Sequence, residues 1–202
     1  MQALLEDYVP GAGLATDLVN TAPSVWHGED QLTDLDALLA FLTEHEVAEH
    51  DLTDDVLCEA DLDAVRSLRG RVRKVIDLRD PEDIADAAAA LTSATSVLTL
   101  VADEAGRRAW QAVPRPKASP ADRLALFCGV GVLGALRALG PERFRDCASP
   151  TCTGAFIDTS RPGRRRYCMP DLCGNRAWVA AYRARHRLEP EEVDEVEEPE
   201  DG

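Results

Sequence analysis

The stretch CASPTCTGAFIDTSRPGRRRYCMPDLCGNR, residues 147–176, holds four of the chain's six cysteines and a knot of arginines. Cys147, Cys152, Cys168 and Cys173 spell C-x4-C-x15-C-x4-C. Two close pairs separated by a loop of this length are the spacing of a tetrahedral zinc site, each pair giving two thiolates from one knuckle. Pro150, Gly154 and Pro170 suit the sharp turns that knuckles require. The competing readings are a disulfide pair or ordinary core thiols. The opening MQALLEDYVP has neither the basic nor the apolar region of a secretory signal. We therefore expect a cytoplasmic protein with reduced thiols, and one Zn2+ held by the four cysteines. With all four positions Cys, no coordination site is left open, so the ion is expected to be structural. Cys58 and Cys128 fall on apolar helix faces and read as buried thiols.

Working outward, the residues between the pairs predict a hairpin. Phe156 and Ile157 would lie on one arm, Arg166 and Tyr167 on the other, with Arg161-Pro162-Gly163 at the turn. Cys173 would open a final helix from about Asn175 to Arg187. Upstream, the pattern is mostly helical. LTDLDALLAFLTEHEV predicts a helix capped by Thr33 or Asp34, with Leu35, Leu38, Leu39 and Leu42 as its apolar stripe. A longer helix is expected over Thr53–Leu78, another from Pro81, and a third from Ser119-Pro120 to Leu139, closed by Gly140. Val97–Val101 and Arg108–Val113 flank a turn at Gly106 and predict a β-hairpin. Pro10 to Gly13 read as a turn before LATDLVNT (14–21), a buried helix or strand. The expected fold class is mainly α with a small β-hairpin. Residues 1–140 would form a helical regulatory, ligand-binding or assembly domain. Residues 141–188 would form a treble-clef- or ribbon-like four-cysteine zinc module, too short to rest on a hydrophobic core. No apolar run is long enough for a membrane span.

Charge is segregated along the chain. The net charge is −15, yet residues 143–187 carry ten Arg and three Asp, a surplus of +7. The tail 189–202 carries nine acids and no base, and reads as disordered. Such a balance argues against a protein that coats nucleic acid with its whole surface and points to the zinc module alone. Candidate DNA contacts are Arg161, Arg164, Arg165, Arg166, Arg176, Arg183, Arg185 and Arg187. A solvated Arg face, a protein-interaction or oligomerisation module, or a tail folded back on the arginines are the alternatives. Asn175 is expected to cap the helix, Arg176 to pair with Asp158 or knuckle carbonyls, and Trp178, Ala181 and Tyr182 to pack on the knuckles.

These residues resemble the CGNR zinc-finger family. The match runs through the two C-x4-C pairs, Phe156, Asp158, Ser160, Arg161, Arg165, Arg166 and Cys173-Gly174-Asn175-Arg176. Tyr167 stands where the family more often has Trp, and CMPDLC departs from its usual Cys-Ser-Met. In that family the finger follows an N-terminal domain called ABATE, whose motif is similar to LATDLVNT. The resemblance implies a bacterial transcription regulator linked to stress responses, with DNA as partner.

Other motifs read as decoys. GVGVLG (129–134) matches G-x-G-x-x-G, but no second strand with an acidic end follows, so close helix packing is expected. HEVAEH sets His45 and His50 five residues apart, about 140° around a helix, which is not a metal pair. Asp17 and Asn20 are polar groups in an apolar segment, either caps or the lining of a small-molecule pocket. No nucleophile–base constellation is present, so no enzyme is expected. A homodimer is compatible with this reading.

Overall fold

The structure is a computed structural model of the 202-residue chain and describes residues 3–4, 7–47, 57–93, 96–102 and 108–186. Gly106, His50, Arg187, the start of the expected helix at Thr53 and the acidic tail lie outside the described residues.

The fold is built around α5 (Pro120–Leu139). Ser119 caps it by accepting the Asp122 N–H, and Gly140, at φ +88°, ends it. Its buried residues run almost without interruption from Pro120 to Val132, as expected of a helix wrapped on several sides. α1 (Val9–Val19), α3 (Glu59–Ile76) and α4 (Pro81–Thr92) pack against it. The glycines of GVGVLG explain how closely. A Cβ on Gly131 would lie 2.2 Å from the Gly11 carbonyl carbon of α1, and one on Gly129 would lie 2.5 Å from Thr92 of α4. The motif is thus a helix-crossing device, as expected. Pro10 to Gly13 are not a turn but part of α1. Proline is tolerated in a first helical turn, and Gly11 is there because backbone meets backbone at Gly131.

α2 (Leu35–Glu44) is capped by Asp34, which accepts the Ala37 N–H. Leu38, Phe41 and Leu42 are buried, whereas Leu39, expected in the stripe, faces solvent. Phe41 takes its place because the helix turns three and four residues at a time from Leu38. Cys58 is also corrected. It is exposed, since α3 starts one residue after it, and its N–H and thiol both donate to Asp61. Cys128 is buried in α5, as expected, and burial pushes its thiol far up.

The predicted hairpin is β2 (Ser96–Ala102) with β3 (Arg108–Pro114), antiparallel, and β1 (Ala3–Leu4) adds to the other side of β3. After α5 comes a 3-10 turn at Pro141–Arg143 and then β4 (Phe144–Asp146). β4 pairs with β5 (Ala155–Ile157), Phe144 opposite Ile157. This overturns the expected pairing of Phe156-Ile157 with Arg166-Tyr167. The strand's partner lies across the first knuckle, where Cys147 N–H bonds the Gly154 carbonyl. A π-helical turn, Pro170–Gly174, leads into α6 (Asn175–His186). Phe144, Ala155 and Ile157 belong to the main core, while Phe156, Cys168 and Cys173 form a small core of their own. Among the described residues no helix is long and apolar enough to cross a membrane. The fold is therefore mainly α with two small antiparallel sheets and a C-terminal four-cysteine module.

Candidate metal centre

The sulfurs of Cys147, Cys152, Cys168 and Cys173 lie within 4.8 Å of one another. Cys152–Cys168 is 3.6 Å, and Cys168–Cys173 and Cys173–Cys152 are 3.7 Å. Zinc–sulfur bonds of about 2.3 Å set tetrahedral thiolates roughly 3.8 Å apart, so three edges already have the length zinc requires. The distances are far too long for disulfides. The knuckles add N–H···S bonds, Gly154 N–H to Cys152 at 3.3 Å and Cys168 N–H to Cys147 at 3.5 Å. Burial and the neighbouring thiols push Cys173 up to about 11 and Cys168 further. Four crowded thiolates need a cation to be stable together. The donor set thus fits one structural zinc ion, as the cysteine spacing predicts. Gly154 is where it is because a Cβ would fall 2.6 Å from both the Cys168 sulfur and the Asn20 side chain.

Beneath the knuckles sits Asp158, fully buried. One carboxylate oxygen accepts from the Ser160 N–H and hydroxyl, the other from the Arg165 N–H and the Arg145 guanidinium. Burial alone would raise this carboxyl; the bonds from Ser160 and Arg165 and the Arg145 charge outweigh it and hold it below its ordinary value. The Asp-x-Ser element is therefore a hub that folds the loop 158–166. Arg143 donates to the carbonyls of Asp158 and Ser160. Arg176 takes no part in this: Arg145 occupies the place beside Asp158. Asn175 does not cap α6, because the chain is already helical through the π turn; its amide donates back to the Asp171 carbonyl.

The module is bound to the helices in front of it. Alternate residues of β5 turn their backbone toward α1, and two side chains of α1 and its C-terminal end meet them. The Asn20 amide donates to the Ala155 carbonyl at 2.8 Å and accepts its N–H at 3.2 Å, and Thr16 Oγ1 accepts the Ile157 N–H at 3.0 Å. Arg73 of α3 donates to the Thr153 carbonyl, and Arg79 pairs with Asp146. The sequence marks Asn20 as polar in an apolar segment, and nothing local in it names the strand.

The arginines divide into two groups. Arg165 is turned inward, donating to the Tyr167 and Cys168 carbonyls with its guanidinium 4.9 Å over Phe156. Arg161, Arg164, Arg166, Arg183 and Arg185 are exposed or partly so, and Arg176 is half-buried. None of these six forms an ion pair with another described residue. Trp178 and Tyr182 do not pack on the knuckles as expected. They stack on each other at 5.7 Å and are 64% and 46% exposed, because the π turn carries α6 away from the cysteines.

A separate cleft of about 470 Å3 lies between α1, α2 and the second knuckle, with Asp17 and Asn20 on one wall and Met169 at its end. The histidine of the discarded metal pair, His45, sits there 3.8 Å from the Asp17 carboxylate.

Two family models match, in the order that fold and site display. Residues 12–141 match ABATE, described as "Putative stress-induced transcription regulator". The chain belongs to the ABATE family. Residues 143–186 of this ABATE protein match the CGNR zinc finger, which ends where α6 ends. No curated protein matches the chain. In this ABATE protein two of the letters that give the finger its name have distinct physical duties: Cys173 is a zinc donor and Asn175 ties the π turn, whereas a Cβ on Gly174 would only touch the Tyr167 ring at ordinary contact distance.

Proposed function

We propose that this ABATE protein is a DNA-binding transcription regulator of the bacterial cytoplasm whose zinc module carries the contacts to DNA. One contrast supports this most. Arg66, Arg69, Arg73, Arg79, Arg143 and Arg145 each pair with a carboxylate. Arg161, Arg164, Arg166, Arg176, Arg183 and Arg185 do not pair with any described carboxylate; Arg71, Arg108, Arg115 and Arg137 do not either, but they are scattered over the N-terminal part, whereas these six are gathered in the zinc module of a chain of net charge −15. Guanidiniums left without carboxylate partners amid so many acids are suited to phosphates, and Arg reads guanine bidentately in a major groove. Arg187, outside the described residues, is proposed with this set on its sequence alone; Arg165 is taken out of it, since its guanidinium braces the second knuckle.

The helix argues the same way. α6 is twelve residues long and packs chiefly on the π turn before it. A helix of that length is marginal in water without tertiary contacts. A groove of DNA would supply them. Binding of the full-length, zinc-loaded protein to duplex DNA across a salt series tests the proposal. About six phosphate contacts give a slope of log K against log salt near −5, at roughly −0.9 per contact. No binding at low salt, or a flat salt dependence, overturns it.

A second reading, assembly, has its own observation. β2 is one of the two edge strands of its sheet, and its sequence SVLTLVA is uncharged and near-palindromic about Thr99. Antiparallel pairing with a second copy about Thr99 sets Leu98 against Leu100 and Val97 against Val101. Leu98, Leu100 and Trp110 are exposed beside that edge. An uncharged edge is also where two chains of net charge −15 repel least. Sedimentation of the wild type and of Leu100→Lys decides it: a dimer that the substitution dissociates supports pairing through β2, and a wild-type monomer rejects it.

A further inference from the structure

The cleft between α1, α2 and the second knuckle has a volume in the range of small-molecule sites, and its chemistry is one-sided. Several of its polar groups are already committed. The Asn20 amide is spent on β5 and the Thr16 carbonyl, the Trp26 indole N–H donates to the Asn20 carbonyl, and the Thr21 hydroxyl donates to Leu18. The uncommitted ones are the carboxylates of Asp17 and Glu44, with His45 beside Asp17, and the neutral side-chain amide of Gln31. No Lys or Arg lines the cleft. Two aromatic rings, Trp26 and Phe41, complete the wall.

Two acids with no lining Lys or Arg repel an anion. A neutral apolar ligand would strip water from both carboxylates and return nothing to them. A metal ion is excluded by geometry: Asp17, Glu44 and His45 do not bring three donor atoms close enough to share one ion, and among the described residues only the cysteines do. What fits is a cation spread over more than one point, with a body that aromatic rings can cover. We propose that the cleft binds a small organic ammonium ion, its charge between Asp17 and Glu44 and its apolar part against Trp26 and Phe41. The state of Asp17 agrees. Its side chain is 52% exposed, yet partial desolvation against the cleft wall raises its carboxyl above the ordinary range, the charges of His45 and Arg165 lower it, and Glu44 raises it again. The two carboxylates already feel each other, and a cation between them relieves both. An occupant would also touch Met169, next to the zinc donor Cys168.

The proposal does not rest on DNA binding, and its test uses none. The full-length, zinc-loaded protein is titrated calorimetrically with 2-phenylethylammonium, tetramethylammonium and 1,4-diaminobutane, and with phenylacetate as the anionic counterpart. Saturable binding of at least one ammonium ion, none of phenylacetate, and at least about tenfold weaker binding in Asp17→Asn and in Glu44→Gln is the expected result. Both substitutions are near-isosteric and lie at partly exposed positions, so circular dichroism should show an unchanged fold. Binding by none of the three cations, equal binding of phenylacetate, or undiminished binding in both variants overturns the proposal.

Discussion

Replacing Asn20 by Ala removes one of the side chains, with Thr16, Arg73 and Arg79, that join the helical part of the protein to the finger. Asn20 is 4% exposed and makes three hydrogen bonds: to the Thr16 carbonyl at 2.7 Å, to the Ala155 carbonyl at 2.8 Å and from the Ala155 N–H at 3.2 Å. The Thr16 carbonyl keeps an alternative, the Asn20 backbone N–H. Ala155 does not, because its backbone points away from β4, and Ala155 is fully buried. Two buried groups are orphaned, each at about 1–3 kcal/mol, so Asn20→Ala should destabilise the protein by about 3 kcal/mol. Urea unfolding of the zinc-loaded protein measures this, followed by circular dichroism at the helix band and by zinc release to a chromophoric chelator. The two curves should coincide in the wild type and separate in the variant, with zinc released first. A loss below about 1 kcal/mol with coincident curves would refute the reasoning, for it would mean that the core residues Phe144, Ala155 and Ile157 dock the finger without the amide.

The remaining expectations use other parts of the fold. Gly131→Ala should destabilise by about 3 kcal/mol or more, because its Cβ meets backbone on α1; Gly70→Ala, where nothing lies within 4 Å, should stabilise α3 by up to about 1 kcal/mol; thermal unfolding of the pair checks both signs. The Asp30 carboxyl is held below its ordinary value first by the hydrogen bond from Arg69, 2.7 Å away. Its contribution is therefore present above roughly pH 4 and is lost as pH falls through the lower folded value. Asp30→Asn should flatten that acid slope and, by leaving the buried Arg69 charge with only the Thr21 hydroxyl and no carboxylate, cost about 3 kcal/mol at pH 7 in urea titrations. Cobalt substitution should give one ion per chain with a tetrathiolate absorption spectrum, and Cys168→Ser should lower metal affinity by orders of magnitude, read by chelator competition.

What sequence alone reveals here is what neighbouring residues decide. The cysteines of each pair are five positions apart inside one knuckle, the caps Asp34 and Ser119 lie three residues from the N–H groups they accept, and the glycines of α5 lie on one helix. Each signal is complete within a few residues of chain. The failures occur where the partner is distant or where one residue of shift decides the environment. Sequence proximity pairs β5 forward with Arg166-Tyr167, yet the strand pairs back across the knuckle to β4. Asn20 meets a strand 135 residues away. Cys58 lies one residue outside its helix, and its exposure turns on that residue. Arg165 looks like its neighbours in sequence, and only the Tyr167 and Cys168 carbonyls separate it from them.

α1 joins these observations. Thr16 and Asn20 are one helical turn apart on the face that completes β5, and Asp17, the next residue after Thr16, turns into the cleft. The helix that fastens the finger is therefore also a wall of the proposed cation site, and Met169 closes that site from the finger's side. An ammonium ion held by Asp17 and touching Met169 bridges both parts of the protein without moving either. By linkage, it must then favour the docked arrangement by as much as docking favours its binding. The urea midpoint for zinc release should accordingly rise in the presence of a bound ammonium ion. The effect should vanish in Asp17→Asn, which keeps every hydrogen bond between Thr16, Asn20 and β5.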